Sequence, residues 1–296
     1  MAKIAVELEQ ALTLRREEGT PGQTTPRVLV SGEEWTVADV ICTCGPDDRP
    51  YEERHDRQAI AIALAGSFQY RCSSGRGLMT AGSLLLGNRG ECFECAHQHG
   101  EGDRCLAFWF APDYFERLSA DIGGRSRARF SVPRLPPMRQ FSTLIARASA
   151  GVDGVVDVSW EELAVAIAVR TLRLAAGASL RPSRLPPNAE ARVIRAVRAI
   201  ENHPDAALSL GRLAREARLS PYHFLRTFKS LVGVTPHQYV MRTRLREAAA
   251  KLVANGDSVL DVALDCGFGD VANFHRAFRT EFGVSPRIYS GRSSTA

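Results

Sequence analysis

One stretch of the chain concentrates side chains that could bind a metal ion. Six of the seven cysteines lie within the first 105 residues, and three of these fall between Gly90 and Cys105 with two histidines. Thiolate sulfur and imidazole nitrogen are ligands that Zn²⁺ and other thiophilic divalent metals prefer. The candidate metal ligands are His55, Cys92, Cys95, His97 and Cys105.

Other interpretations of this stretch stay open. In a regular strand, Cys95, His97 and His99 would share one face and Cys92 would point to the other. A single metal site would therefore need a turn between Cys92 and Cys95. The cysteines could instead be small buried hydrophobic residues, or a redox-responsive thiol pair. A small organic effector is a further alternative that the sequence does not identify.

A different set of residues, in the last third of the chain, could read DNA. Arginine matches the two acceptors of guanine in the major groove, and asparagine matches the donor and acceptor of adenine. Residues 189–296 contain 16 Lys+Arg and 10 Asp+Glu, a net charge of +6. The other 188 residues contain 22 and 23, a net charge of −1, which together give the +5 of the whole chain. A positive excess confined to one region is typical of a phosphate-binding surface.

These basic residues lie in a unit that the sequence contains twice. Equivalent residues are 49 or 50 positions apart, as in Ala214/Ala263, Arg226/Arg276, Phe228/Phe278, Gly233/Gly283, Pro236/Pro286 and Tyr239/Tyr289. Each copy has a serine that can cap a helix, then apolar residues at helical spacing, a short turn and a second cap at Ser220 or Asp270. This pattern predicts two helix-turn-helix units, at 209–231 and 258–282, whose second helices can enter a major groove.

The repeat resembles the DNA-binding domain of the AraC/XylS family of bacterial transcription regulators over roughly residues 190–290. The pattern that carries the resemblance is Ala263-(x)3-Gly267-Phe268-(x)5-Phe274-(x)3-Phe278-(x)4-Gly283-(x)2-Pro286-(x)2-Tyr289. The resemblance implies a sequence-specific regulator, more often an activator, that binds promoter DNA. It also implies a homodimer, a contact with RNA polymerase in the case of an activator, and a signal bound by the N-terminal domain. A metal- or redox-responsive regulator is the alternative that the Cys/His stretch favours.

The resemblance also assigns roles to individual side chains. The residues that would face the groove are Tyr222, Leu225 and Arg226 in the first unit and Val271, Ala272, Asn273, His275 and Arg276 in the second. Arg226 and Arg276 would read guanine and Asn273 another polar base edge, with a phosphate contact as the alternative for each arginine. The residues expected to contact the DNA backbone are Lys229, Arg242, Arg244 and Arg279.

The elements that must position the cysteine-rich stretch are predicted to be strands. Residues 27–112 alternate apolar with polar side chains and are interrupted by turn clusters, one of them at Gly66-Ser67. Many short strands with regular turns are typical of a sandwich or barrel. The position of this region before the repeat resembles the cupin-like sensor domain of the same family, although the two cupin motifs are matched only loosely.

Helices are predicted after the strands, followed by a linker. They begin near Pro112, with Asp113 as cap, at Pro137 and at Ser159. The last of them either forms a dimer contact or packs on its own chain. The predicted fold class is α+β, with a cupin-like β-barrel and helices in a sensor domain, 1–176, and an all-α DNA-binding domain, 189–296. A Pro/Ser/Arg-rich linker, 177–188, joins them.

Composition and length narrow the class of protein. The chain has 296 residues, of which 45% are hydrophobic and 24% charged, as is usual for globular domains. It has no run of about 18 apolar residues, so no membrane span is expected. Acidic residues come too early for a signal peptide, which predicts a cytoplasmic protein with reduced thiols. No catalytic residue is predicted. A cupin metalloenzyme would need further metal ligands beside His55, and these are not found in the sequence. A DNA-repair methyltransferase would need a nucleophilic cysteine in a dedicated motif, and no cysteine lies in one.

Overall fold

The computed structural model describes residues 3–50, 52–98, 100–123, 128–155, 158–177, 188–254 and 258–291. These residues divide into two compact units. The β unit comprises residues 3–144 and 158–177, and the helical unit comprises residues 145–155 and 188–291. Most of the predicted linker, residues 178–187, lies outside the described ranges. Within those ranges, no helix is long and apolar enough to cross a bilayer.

Within the described residues, nine antiparallel strands build the β unit. They are β1 (Thr24–Ser31), β2 (Trp35–Cys42), β3 (Glu52–Arg54), β4 (Gln58–Cys72), β5 (Gly75–Thr80), β6 (Leu84–Gly87), β7 (Cys92–Ala96), β8 (Asp103–Phe110) and β9 (Arg134–Leu135). Hydrogen bonds join them in the order β1-β2-β8-β4-β6-β9, while β4 also pairs with β5 and β7, and β3 with β7. The sheet-rich N-terminal fold that the alternation predicted is therefore confirmed.

The long strand β4 corrects one detail of the sequence prediction. A turn was expected at Gly66-Ser67, but the strand continues through both residues. Its register against β8 shifts between Ala63 and Ala65, which marks a β-bulge. Gly66 has a φ of +77°, and a Cβ there would lie 2.4 Å from the carbonyl oxygen of Gly102. Glycine lets the strand bend without ending, so its first half pairs with β6 and β8 and its second half with β5 and β7.

Strands β4 and β8 are buried on both faces. One face carries large residues that are fully buried, among them Ile60, Ile62 and Phe108. The other carries small ones, Ala61 and Ala63 on β4 and Cys105 and Ala107 on β8, which pack in one cluster with Phe68, Tyr70, Met79 and Leu85. The Cys/His-rich stretch therefore lies against an interior that is mostly apolar.

The helices of this part of the chain are α1 (Lys3–Glu18), α2 (Pro112–Asp121), α3 (Ser142–Val152) and α4 (Trp160–Ala175). Asp113 is not the cap that was predicted for α2, because Ala111 occupies the N-cap position and Asp113 lies in the first turn. The predicted start of α4 is confirmed, since the Ser159 hydroxyl accepts a hydrogen bond from the Glu162 N–H. The third helix begins later than Pro137, after a 3-10 turn at Arg139–Phe141.

The apolar stripe of α4 is buried within the chain. Leu163, Ile167 and Thr171 have no exposed surface, and the helix contacts α2 and β2. This burial accounts for the stripe by packing on the same chain, the second of the two alternatives considered for it. A dimer contact through another surface stays a prediction.

The helical unit contains the two predicted helix-turn-helix pairs. Besides most of α3, its helices are α5 (Ala189–Asn202), α6 (Leu210–Glu216), α7 (Pro221–Val232), α8 (Pro236–Ala254), α9 (Val259–Asp265), α10 (Val271–Phe282) and α11 (Pro286–Tyr289). The predicted N-caps are confirmed: the side chains of Ser209, Ser220, Ser258 and Asp270 each accept hydrogen bonds from first-turn N–H groups. Both α7 and α10 end at a glycine in the left-handed conformation, which satisfies their last carbonyls.

One helix, α8, contributes to the packing of both pairs. Near its start, Tyr239 is fully buried with its ring against Phe228 of α7. Near its end, Leu245, Ala249 and Leu252 belong to the apolar cluster that also contains the phenylalanines of α10. The two helix-turn-helix pairs are therefore held by the two halves of a single shared helix.

Candidate nucleic-acid interface and metal-ligating residues

The second helix of each pair buries one face and exposes the other. Phe224 and Phe228 of α7, and Phe274 and Phe278 of α10, have no exposed surface. The polar and charged residues predicted to contact DNA from the opposite faces are all exposed: Tyr222, Arg226 and Lys229 on α7, and Asn273, His275, Arg276 and Arg279 on α10. Of the three apolar residues predicted to face the groove, Ala272 is exposed and Leu225 and Val271 are half-buried. The helical period thus places seven of the nine polar and charged side chains that were predicted to contact DNA on solvent-accessible faces of the two helices.

On α7, an aromatic ring positions a candidate base reader. The guanidinium carbon of Arg226 lies 5.8 Å from the centre of the Tyr222 ring, a distance that allows a cation–π interaction. Tyr222 itself is 63% exposed, a large exposure for an aromatic residue. The pair presents a cation and an apolar ring side by side, which suits a guanine edge next to a thymine methyl group.

On α10, the helix start is fixed more firmly. Both carboxylate oxygens of Asp270 accept backbone hydrogen bonds, from Ala272 N–H at 2.9 Å and from Asn273 N–H at 3.2 Å. Asn273 therefore lies in the first turn, followed by His275 and Arg276. Residues in the N-terminal part of a recognition helix are those that reach base edges. In α10, this part of the helix contains three polar candidates for base contacts: Asn273, His275 and Arg276.

Arg244, predicted to contact a phosphate, is not on these faces. Its guanidinium donates to three backbone carbonyls, of Pro204 at 2.6 Å, Gly267 at 2.7 Å and Ala206 at 2.9 Å. It also lies over the Phe268 ring, and burial lowers the pKa of the guanidinium against the charge of Asp205. Its donors are used inside the helical unit, so the structure gives Arg244 a positioning role.

Arg242, the other residue of α8 predicted to contact the backbone, also points away from solvent. Its side chain is 16% exposed and its Nε lies 3.4 Å from the Glu281 carboxylate of α10, which is 9% exposed. This ion pair links α8 to α10. The sequence placed both arginines on a basic helix without determining which way each side chain points.

The turn of the second helix-turn-helix needs its glycine. Gly267 has a φ of +79°, and a Cβ there would lie 2.6 Å from the Asp205 carbonyl oxygen and 2.7 Å from its Cα. Arg244 donates to the carbonyl of this same glycine. The backbone of the turn is therefore fixed by a close approach on one side and an arginine on the other.

Arginines of α5 hold the turn of the first pair in the same manner, and sequence reasoning missed them. Arg195 donates to the Glu216 carbonyl at 3.2 Å, and Arg192 donates to the Arg218 carbonyl at 3.0 Å. Arg195 and Arg244 are 49 residues apart, the repeat interval already seen in the first helices. That interval marks Arg195 and Arg244 as equivalent residues of the repeat. Arg195 also lines a basic cleft with Arg212, Arg215, Glu216 and Arg218.

In the β unit, the structure brings together a different set of potential metal ligands from the predicted one. The Sγ atom of Cys42, a ring nitrogen of His97 and a carboxylate oxygen of Asp103 all lie within 4.8 Å of one another, and all three residues are buried. We call these residues the Cys42 cluster. Of the predicted ligands only His97 belongs to it. Cys105 adjoins it, because its thiol donates to Asp103 Oδ2 at 3.2 Å.

Strand pairing explains why sequence reasoning missed Cys42 and Asp103. Cys42 is the last residue of β2 and Asp103 the first of β8, and the two are directly opposite in the antiparallel register. His97 follows the last residue of β7, Ala96, and its Nε2 lies 2.6 Å from Asp103 Oδ1. Residues 61 positions apart can be recognised as neighbours only once this register is known.

Of the remaining predicted ligands, His55 and Cys92 lie elsewhere in the β unit, whereas Cys95 packs against the apolar cluster that contains Cys105. The His55 ring stacks on Phe93, with 4.0 Å between ring centres, and its Nε2 is 2.9 Å from the Tyr70 hydroxyl. Cys92 is half-buried and pairs with Arg54 of β3. Cys95 is opposite Tyr70 across β4 and β7. His99 is outside the described residues.

The surroundings of these groups change their acidity. Burial lowers the pKa of His55 to about 4, although the charges of Glu91 and Asp56 act in the opposite direction. Burial also acts to lower the pKa of His97, but hydrogen bonds with Asp103 and Cys42 raise it to about 10. A hydrogen bond with Cys44, together with burial, raises the pKa of the Cys42 thiol. Both His97 and Cys42 would have to release protons before ligating a metal.

The helix-turn-helix repeat of the chain matches a known protein family. The family described as "Helix-turn-helix domain" matches residues 213–292. The probable transcriptional regulator LumQ of Photobacterium leiognathi is 42% identical over 91 residues, which are 30% of this chain and 36% of that protein. The HTH-type transcriptional activator RhaS of Salmonella agona is 31% identical over 204 residues, 64% of this chain and 70% of that protein. The chain thus spans little more than a third of the length of LumQ.

A similarity to a solved DNA complex is also found. It is the DNA-binding domain of AdpA, described as the global transcriptional factor, in complex with a target DNA. The two chains are 30% identical, the match covers 34% of this chain and 90% of that one, and the TM-score is 0.33.

Proposed function

The chain belongs to the AraC family of helix-turn-helix transcriptional regulators, and we propose that it reads a promoter with α7 and α10 together. The observation that carries this proposal is the matched exposure of polar and basic side chains on two helices that share α8. Because α8 joins the two exposed faces, both could bind the same DNA duplex at two successive stretches of the major groove. A relative named as a transcriptional activator supports the proposal that this chain activates transcription and does not repress it.

Side-chain chemistry determines which residues are proposed to contact bases and which to contact phosphates. Arg226 and Arg276 would each donate two hydrogen bonds to guanine, and Asn273 would read adenine or another polar edge. Tyr222 and His275 would contact neighbouring bases. Two further basic side chains, Lys229 and Arg279, would neutralise phosphates and so contribute affinity without specificity.

The length of α8 has a consequence for the DNA. The helix has 19 residues, which span about 28 Å at roughly 1.5 Å per residue. Major grooves on one face of straight DNA recur at about 34 Å. We therefore propose that the duplex bends when both helices dock. Straight DNA in a circular-permutation gel shift, with both helices needed for affinity, would contradict this.

Three further partners belong to the proposal. By family resemblance, the regulator acts in the cytoplasm as a homodimer, and an activator would contact RNA polymerase. The β unit would bind the signal, a small molecule or a metal, and thereby change promoter binding. The Cys42 cluster supports a binding role, because it buries three side chains with metal-ligating atoms within 4.8 Å of one another.

The test is selection of binding sites from randomised DNA duplexes, followed by affinity measurement. With Arg276→Ala or Arg226→Ala, binding should weaken roughly 5- to 150-fold and lose its preference at one base pair, as a lost base contact of about 1–3 kcal/mol requires. The matched control is Arg198→Ala, which removes an exposed arginine of α5 outside both recognition helices. Unchanged sequence preference in both variants would overturn the proposed reading of DNA.

A further inference from the structure

We propose that Cys42, His97 and Asp103 bind one thiophilic divalent metal ion, with Zn²⁺ as the representative. This site lies in the β unit and differs from the Cys92–Cys95 arrangement that the sequence predicted. Metal binding here does not depend on DNA binding by the helical unit, so the two proposals can fail separately.

The separation of the three side chains fits a single small ion. Their ligating atoms are all within 4.8 Å of one another. Zinc binds sulfur at about 2.3 Å and nitrogen or oxygen at about 2.0–2.2 Å, so ligand atoms on one tetrahedral zinc lie roughly 3.3–3.8 Å apart. His97 Nε2 and Asp103 Oδ1 are now 2.6 Å apart in a hydrogen bond, which the metal ion would replace. Small side-chain rotations would then bring all three atoms to a shared ion.

The ligand types select the class of metal. A thiolate, an imidazole and a carboxylate form a set that zinc accepts, whereas Ca²⁺ and Mg²⁺ prefer oxygen alone. Three protein ligands leave a fourth position for water or another group. Cys42, His97 and Asp103 are 6%, 5% and 5% exposed, so bulk water does not compete strongly for the ligand atoms.

The neighbouring groups orient the ligands. The Cys105 thiol donates to Asp103 Oδ2 at 3.2 Å, which leaves Oδ1, the oxygen beside His97, for the metal. Hydrogen bonds to ligating carboxylates are usual around zinc and tune its affinity. The β2–β8 register places Cys42 and Asp103 directly opposite each other. The backbone is thus already arranged for binding.

The alternating geometry of β7 argues against the pair predicted earlier. Cys92 and Cys95 are three residues apart in a regular strand, so their side chains point to opposite faces. Cys92 therefore supplies a matched control: it is a thiol of the same sequence motif, half-buried, and not in the Cys42 cluster. Cys72, also half-buried, is a second control.

The experiment uses the full chain, purified without chelator, with metal content determined by plasma mass spectrometry. A parallel Co²⁺ titration reports thiolate coordination through the sulfur-to-cobalt charge-transfer band. About one equivalent of metal is expected in the wild type, in Cys92→Ser and in Cys72→Ser. Affinity should fall at least about tenfold in Cys42→Ser and in His97→Gln.

Specific outcomes would overturn the site. These are a wild-type chain without metal and without the charge-transfer band, or full retention of metal by Cys42→Ser or His97→Gln. If these variants fail to fold, alkylation of the wild type mapped by mass spectrometry decides instead. Zn²⁺ should then protect Cys42 but not Cys72 or Cys92, and protection of other cysteines without Cys42 contradicts the proposal.

Discussion

The β unit and the helical unit place charged side chains in opposite ways. In the β unit, Arg104 is fully buried and its Nε and Nη2 each lie 2.8 Å from a carboxylate oxygen of Asp39. In the helical unit, Arg226 and Arg276 extend into solvent. A charge inside a fold needs a partner from the same chain, whereas a charge outside is available to another molecule. The difference separates residues that maintain a fold from residues that can read DNA.

Arg244 shows that burial, and not membership of one unit or the other, decides whether a charged side chain is paired within the chain. It belongs to the helical unit, yet three carbonyls of the same unit occupy its donors. Substitutions at buried and exposed arginines should therefore affect different measurements.

Replacing Arg104 should destabilise the β unit. Arg104→Met removes the buried partner of Asp39, which is 1% exposed and keeps the exposed Arg27 at 2.8 Å, so the free energy of unfolding of the β unit should fall by about 3 kcal/mol. All three tryptophans, Trp35, Trp109 and Trp160, lie in this unit, so urea denaturation followed by tryptophan fluorescence reports it. The exposed counterpart, Arg226→Met, should change stability by less than about 0.5 kcal/mol. A loss below about 1 kcal/mol in Arg104→Met would contradict the comparison.

His55 should make the β unit sensitive to acid. Its folded pKa of about 4 lies below the ordinary value of 6.5 because of burial. Its stabilising contribution is therefore complete above pH 6.5 and is lost as the pH falls toward 4, when the unfolded chain binds the proton first. The total loss is about 3 kcal/mol at roughly 1.4 kcal/mol per pKa unit.

His55→Gln provides the measurement. Glutamine retains a hydrogen-bonding group for Tyr70 but does not titrate, so the variant should be less stable at pH 7 and lose less stability between pH 6.5 and 4. Glu91, Asp56 and the Tyr70 hydroxyl surround His55 in the fold. The free energy of unfolding is measured at each pH by urea denaturation with tryptophan fluorescence. If it depends on pH in the same way in the variant and the wild type, another group is responsible.

Arg244→Ala should destabilise the helical unit by about 2–4 kcal/mol, because it leaves three carbonyls and the second turn without their donor. Arg242→Ala, which removes one longer ion pair, should cost about 1 kcal/mol. Far-UV circular dichroism during denaturation measures both. If Arg244→Ala instead leaves stability unchanged and lowers the salt dependence of DNA binding, Arg244 is a phosphate contact after all.

The smallest effects are expected from Lys229→Ala and Arg279→Ala. Each removes one exposed charge from a recognition helix, so stability should be unchanged. The slope of log affinity against log salt concentration should fall by about 1 in each variant, and all DNA sequences should be affected equally. A change in base preference without a change in slope would reassign the residue as a base reader.

Local patterns explain which parts of the fold could be predicted. The caps at Ser209, Ser220, Ser258 and Asp270, the buried phenylalanines and the glycine helix ends depend on residues within one or two turns. The bend of β4 at Gly66 was predicted to be a turn because glycine is common in both. Only the pairing of β4 with four other strands distinguishes them.

The sequence alone determined that this protein carries two helix-turn-helix units with exposed basic faces, because a repeated helical period and its caps are local properties. Tertiary structure alone decided that Arg242 and Arg244 point inward, since the direction of a side chain depends on the elements packed around it. Tertiary structure also decided that His97 lies close to Cys42 and Asp103 and not to Cys92. This proximity depends on the register between β2 and β8, and strand register is set by contacts distant in sequence.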